Sequence, residues 1–488
     1  MTQVRDVRAY LRSRTHGPAS AIDRYVTVFG LAMLAAVAGR PISGVLAALD
    51  APVDPVRMGA GLALLAVAFT GFLTAARAAG PVLMSPADAA WLLLSPLDRR
   101  KLLGRSARVI GLVALVAGLL LGVGLLAVLG APDQLVWRVL AALVLGVSAT
   151  VGGAALAVLG QSSPAWQIWL SGAMAALLVL AVVAVSGRLR TVLAVAAHAP
   201  LAAVTAAVAG AVAVSWLLAR RAWASLDRIP ARDLVASSAR AGYAADATVG
   251  LDLSTFTWIA EDNHWRSRTL VSRRRPGVAA PLAPAWADWL RVIRRPGRLA
   301  VVAATAPLPA VLVQAGGSPT ASAVAVLGGA LAVAATAVSG ARRDAGNPAL
   351  ARLLGLGLRP ALAARAVLPA VLGGVWATAA LLMLPVDGTW WLFGPLAAPA
   401  LAAGALRMAR RRPIDHSLPV LETGGGAIPV GPLLWAGTGV DLALLGCLPA
   451  FAALTTPDAA PGPYLLAQAV TGVAVLLGYL WRARTSRS

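Results

Sequence analysis

The chain of 488 residues is 59% hydrophobic and only 13% charged, against about 25% charged in a soluble globular domain, which excludes folding around soluble cores and leaves an integral membrane protein. The formal charge of +22 does not point to nucleic acid, because the arginines lie between apolar runs and at their ends, where they set orientation in a membrane. A single cysteine, Cys447, excludes an intrachain disulfide and a thiolate metal cluster.

The chain opens on VRDVRAYLRSR, where Val4, Val7 and Leu11 face away from Arg5, Arg8 and Arg12, predicting an amphipathic cytoplasmic helix over residues 1–20 rather than a cleaved signal peptide. The apolar runs that follow are continuous and rich in Ala, Leu and Val, so they read as helices and not as alternating barrel strands. A helical crossing needs about 20 apolar residues. That length predicts spans near 25–49, 57–79, 107–130, 135–159, 166–186 and 191–219, filling a first half over 21–221.

A polar connector occupies 222–298 and ends in a second interfacial helix, with Trp286, Trp289, Leu290 and Ile293 at i, i+3, i+4, i+7 and Arg291, Arg294 and Arg295 opposite. Its RSRTLVSRRRPG run suits anionic lipid headgroups. Six more spans are predicted near 299–316, 320–341, 361–384, 389–406, 433–454 and 463–481, completing a second half over 299–488. The expected fold is therefore all-α, with about twelve transmembrane helices in two six-span halves and interfacial amphipathic helices. Positive residues in short loops stay cytoplasmic. The groups Arg99/Arg100/Lys101, Arg342/Arg343 and Arg410/Arg411/Arg412 fall on one side with both termini, which predicts a multi-pass plasma-membrane protein with cytoplasmic ends.

The two halves share a plan. After the second span comes MSPADAAWLLLSPLDRRKLLGR, and after the eighth ARRDAGNPALARLLGLGLRPALAARAVLP, so that Ser85-Pro86 matches Asn347-Pro348 while Leu102 and Arg105 match Leu362 and Arg365. A short helix between breakers in the same cytoplasmic loop of each half predicts a duplicated contact.

Catalytic chemistry is absent from the pattern. No G-x-x-x-x-G-K-[ST] loop exists, and the Gly424-Gly425-Gly426 run carries no lysine and reads as a hinge-like loop. The four histidines, at 16, 198, 264 and 416, lack ligand spacing, and Glu261-Asp262-Asn263-His264 reads as a solvated loop, so neither metal nor enzyme activity is expected. Ionisable residues inside spans carry more weight. Arg40, Arg57 and Arg138, with Asp50 and Asp54 nearby, either snorkel to headgroups or form an outward-facing site for an anionic or amphipathic substrate. Asp441, read as an isolated intramembrane acid, and His198, before Pro200, are candidate proton-relay groups.

The loop S-P-A-D-x-x-W-L-L-x-S-P-L-x-R-R-x-L resembles the cytoplasmic coupling loop of ABC-2 type exporter permeases, and the whole chain resembles an uncharacterised actinobacterial family of large, arginine-rich, fused permease-like membrane proteins. The resemblance implies a permease whose two halves are fused, with no cofactor of its own and ATP bound by a separate ABC-type ATPase dimer. Pro86, Asp88, Trp91, Leu94, Arg99 and Arg100 then form one docking helix, and Pro348, Arg352 and Leu353 the other. The second copy lacks the tryptophan and the acid and has Gly355 and Gly357, so the halves are expected to be unequal. Expected partners are the ATPase and membrane lipids, and no nucleic acid. A proton-coupled secondary transporter and a non-transporting membrane scaffold are the alternatives.

Overall fold

A computed structural model describes residues 55–80, 82, 99–130, 134–231, 234–235, 238, 282–347, 355–386, 388–412, 420–423, 426–456 and 460–483. The predicted amphipathic start and first span lie outside these residues. The chain divides into two compact units, residues 1–242 with 420–428, and 243–419 with 429–488. The division falls inside the segment read as a connector.

The first unit contains α1 (Pro55–Ala79), α2 (Arg99–Leu129), α3 (Leu135–Ser162), α4 (Pro164–Val185), α5 (Arg190–Ala197) and α6 (Leu201–Ser225). Proline opens α1 and α4, where its missing N–H leaves no hydrogen bond unmade. The predicted sixth span is broken: α5 and α6 flank Pro200, which lacks the donor to continue α5. α3 packs against α2, α6, α4 and α1, and α1 packs against α4. Small residues make the tightest of these contacts, since in lipid close backbone approach and van der Waals fit replace the hydrophobic drive. At the α2–α3 crossing a Cβ on Gly146 would collide with the backbone of Gly118 and Gly122, and the Thr150 hydroxyl donates across the gap to the Ala114 carbonyl at 2.7 Å. Gly146→Leu is therefore expected to force the two helices apart at a cost of at least about 1–3 kcal/mol, read as a lower thermal midpoint in detergent; an unchanged midpoint would show that the crossing is not this close.

The second unit contains α7 (Ala283–Ile293), α8 (Pro296–Thr305), α9 (Leu308–Gln314), α10 (Pro319–Thr336), α11 (Ser339–Gly346), α12 (Leu358–Leu382), α13 (Phe393–Ala409), α14 (Val430–Gly437), α15 (Val440–Thr455) and α16 (Pro461–Arg482). α13 is the central element, packed against α12, α10, α15 and α16, and its Ala400–Leu406 stretch is wholly buried. The predicted seventh span is two pieces, α8 and α9, separated at Ala306-Pro307. There the Ala306 N–H turns to Ala303, and the Val302 carbonyl instead accepts from Trp376 Nε1 of α12 at 3.0 Å. The predicted eleventh span is likewise split into α14 and α15 at Gly439, whose φ of 94° favours glycine. Arg411 caps the break by donating to the carbonyls of Thr438 and Ala436 at 2.8 and 2.9 Å.

Within α15, Pro449 removes a helical donor. The fully buried Gln468 of α16 inserts its amide directly beside it: Oε1 accepts from Ala450 N–H at 3.1 Å and Nε2 donates to the Gly446 carbonyl at 2.7 Å. One side chain thus bridges the two backbone groups that a straight helix would pair directly.

Among the described residues ten helical segments are long and apolar enough to cross a membrane: α1, α2, α3, α4 and α6 in the first unit, and α8 with α9, α10, α12, α13 with its preceding turn, and α16 in the second. α15, at 16 residues, is shorter. This is a multi-pass membrane protein. The all-α expectation needs one amendment, since Val420–Thr423 (β1) and Gly426–Pro429 (β2) pair as a two-stranded sheet around the predicted hinge-like glycine loop.

Candidate functional site

Three elements of the second unit meet at a buried charge cluster. α7 contributes Asp288, α11 contributes Asp344 and α12 contributes Arg365. Arg365 donates through Nη1 to Asp288 Oδ1 at 2.7 Å and to the Pro284 carbonyl at 3.1 Å, while Nε and Nη2 form a two-pronged contact with Asp344 at 3.0 and 3.2 Å. A guanidinium fork suits this geometry, because its donors lie in one plane at fixed spacing. Arg291, one turn along α7, also reaches Asp288 Oδ1 at 2.8 Å. The Asp288 side chain is 2% exposed and that of Arg365 6%. α11 lies directly on this pair: a Cβ on Gly340 would collide with both Asp288 and Arg365, so only glycine lets the helix backbone approach.

The cluster is incompletely satisfied. Among the described residues Asp288 Oδ2 and Trp286 Nε1 have no hydrogen-bond partner. Burial pushes the Asp288 carboxyl above the ordinary carboxylate range, against the pull of Arg365 and Arg291. The sign follows from linkage: between the ordinary value, about 3.9, and the raised folded value, the folded chain holds a proton that the unfolded chain has released, so stability falls as pH rises through that window. Thermal midpoints measured from about pH 4 to about pH 8 are expected to decline more steeply for the wild type than for Asp288→Asn; parallel profiles would contradict the raised value.

α7 itself differs from its sequence reading in the face it buries. Pro284, Asp288 and Val292, at i, i+4, i+8, point inward, whereas Trp289 and Ile293 are 40% and 46% exposed. An acid that breaks the apolar spacing and sits three residues before Arg291 was the available signal, and the tryptophan stripe obscured it.

The sequence-predicted site residues are scattered. Arg40, Pro86, Asp88, Trp91, Leu94, Pro348, Arg352 and Leu353 lie outside the described residues. Arg99 and Arg100 open α2, where Arg100 pairs with Asp227 at 2.5 Å and donates to the Ala224 carbonyl at 3.1 Å, both partners lying at the end of α6 and just beyond it. Arg57 is exposed in the first turn of α1. Buried Arg138 donates to the carbonyls of Ala197 and Ala199 at 3.0 and 3.1 Å, the backbone on either side of His198. Arg138 thereby caps the C-terminal end of α5, where a helix favours positive charge. His198 is exposed and its Nδ1 lies 2.9 Å from the Ala194 carbonyl. Asp441 is not isolated. It accepts from the backbone of Gly439 and Leu442 at the start of α15 and pairs with Arg407 at 3.0 Å, with its side chain 48% exposed. The α14–α15 break brings it to a helix end, whereas an unbroken span would have held it within the bilayer. Among the described residues no cluster of three metal-ligating side chains occurs.

A family model, Family of unknown function (DUF6297), matches residues 54–419. The chain belongs to this family. The match takes in the Asp288–Arg365–Asp344 cluster and ends between α13 and β1, so α14, α15 and α16 lie beyond it. No curated protein and no solved structure matches the chain.

Proposed function

We propose that the chain is the transmembrane permease subunit of an exporter, energised by a separate ABC-type ATPase dimer that binds the ATP. The observation that carries this reading is the Asp288–Arg365–Asp344 cluster. The loop predicted to dock the ATPase through Pro348, Arg352 and Leu353 begins in α11, and Asp344 of α11 is forked to Arg365 of the span α12. Arg365 is tied in turn to the interfacial helix α7. Displacement of the loop therefore reaches a span through a two-pronged, partly buried, charge-assisted contact that fixes orientation as well as distance.

A recurrence of neighbours supports the fused, duplicated plan of two six-span halves. α2 pairs with α3 as α12 pairs with α13; α3 meets α6 as α13 meets α16; α1 meets α4 as α10 meets α15. On this plan the arginine-bearing loops and both termini are cytoplasmic and the protein resides in the plasma membrane.

The test is association with a Walker-motif ATPase. Trp91→Ala is expected to weaken it by about tenfold or more, because truncating a tryptophan anchor costs about 2 kcal/mol, without changing membrane insertion. Leu353→Ala is expected to do less, its loop lacking the tryptophan and the acid. If neither matters, docking through these loops fails.

A second reading, a proton-coupled secondary transporter, is favoured by one feature: Asp288 is a buried acid whose carboxyl burial holds high. On that reading it replaces Asp441 as the proton carrier. Gradient-driven transport by the purified chain, lost in Asp288→Asn, would establish it; a scaffold would show neither transport nor ATPase association.

A further inference from the structure

At one end of the second unit, α13, α14, α15 and α16 line a cleft of about 1050 Å³, just above the range of about 300–1,000 Å³ typical of ligand pockets. Its rim carries Arg407, Arg410, Arg411, Arg412 and Arg482, and among the described residues lining it there is no acid. Its floor is apolar, running past Leu445, Val475 and Gly478 along α15 and α16. Trp435 and Trp481 flank the rim.

The arginines divide by task. Arg411 holds the α14–α15 break and lies 5.2 Å from the Trp435 ring centroid, and Arg407 pairs with Asp441, so both are committed to the fold. Arg410, hydrogen-bonded to the Tyr479 side chain within the cleft, completes the rim with the exposed Arg412 and Arg482. This is also the end that the arginine distribution assigns to the cytoplasm, where membranes present anionic headgroups and tryptophan settles at the interface.

We propose that the cleft binds one anionic phospholipid, with its phosphodiester among Arg410, Arg412 and Arg482 and an acyl chain along Leu445, Val475 and Gly478. The pairing of the two surfaces favours a lipid over a soluble anion, since an inorganic phosphate meets the basic rim but leaves the apolar floor in water. Leu445 is 63% exposed, a large apolar side chain that an acyl chain would cover. The inference is independent of how transport is energised.

The test uses the full chain, purified in neutral detergent, stripped of lipid and titrated with phosphatidylglycerol or phosphatidylcholine, with bound lipid counted by native mass spectrometry. The wild type is expected to retain one phosphatidylglycerol in preference to phosphatidylcholine. Replacing Arg410, Arg412 and Arg482 together by Gln should weaken that binding by about tenfold to a hundredfold, on about 1 kcal/mol per basic residue at the surface and about 1.4 kcal/mol per decade. Gly478→Leu supplies a second arm: nothing lies within 4 Å of a Cβ there, so the variant should fold, keep every charge and lose lipid by filling the floor. Equal retention of the two lipids, or a triple variant that binds as the wild type does, would overturn the proposal. So would displacement of phosphatidylglycerol by inorganic phosphate with Gly478→Leu unaffected, which would make this a site for a soluble anion.

Discussion

Arg365→Met is expected to destabilise the second unit by about 3–5 kcal/mol, the usual cost of removing one partner from a buried ion pair, whereas Asp288→Asn should cost far less. The asymmetry follows from what each change leaves behind. Without Arg365, the Asp288 carboxylate remains beneath α11 and the Asp344 carboxylate on α11 loses its fork, and Gly340 lies too close to admit a compensating side chain. With Asn at 288, an amide oxygen still accepts from Arg365, which keeps its fork on Asp344 and its bond to the Pro284 carbonyl. Burial already raises the proton affinity of Asp288, so a neutral side chain relieves desolvation as well as losing attraction. Arg365→Lys should fall between, because an ammonium cannot span both oxygens of Asp344 in plane. Thermal midpoints of the three variants in detergent decide the matter; equal losses for Arg365→Met and Asp288→Asn would show that the cluster is not held by charge.

The second large effect is expected at Gln468. Gln468→Leu strands the Gly446 carbonyl and the Ala450 N–H in the buried seam between α15 and α16, where no water replaces the lost amide. An unsatisfied buried group costs about 1–3 kcal/mol, which puts the loss near 2–6 kcal/mol, lessened because Thr471 Oγ1 lies 3.3 Å from the same carbonyl. Pro449→Ala should rescue the variant, since restoring the donor lets α15 straighten and close the Gly446–Ala450 bond directly. Coupling between the two changes in a double-mutant cycle, with the double variant more stable than Gln468→Leu alone, is the expected signature. Additive losses would mean that Gln468 only fills space.

Much of this architecture was legible as composition, because a run of about 20 apolar residues has few ways to avoid crossing a bilayer. α2, α3, α4 and α12 fall where the hydropathy places them. The breaks did not emerge. Pro200, Pro307 and Gly439 were visible as residues, but a hydropathy window averages across a kink, and lipid-embedded helices carry proline without ending often enough to hide it. The α7 face was missed for a different reason. Helical spacing shows that Trp289 and Ile293 share a side, yet cannot tell whether protein or bilayer covers it. Asp288, Asp344 and Arg365 could not be joined from the chain alone, since Arg365 stands 21 residues from one partner and 77 from the other. Asp441 was placed correctly in sequence and wrongly in environment, because the break that brings it to Arg407 was unseen.

Purification of the tagged full-length chain from native membranes in mild detergent, with its partners identified and counted, tests the permease reading most directly. The account predicts a Walker-motif ATPase at two copies per chain, whose ATP hydrolysis copurifies and whose association falls about tenfold in Trp91→Ala. A chain that purifies without an ATPase while driving transport under a proton gradient, or while transporting nothing, would contradict it.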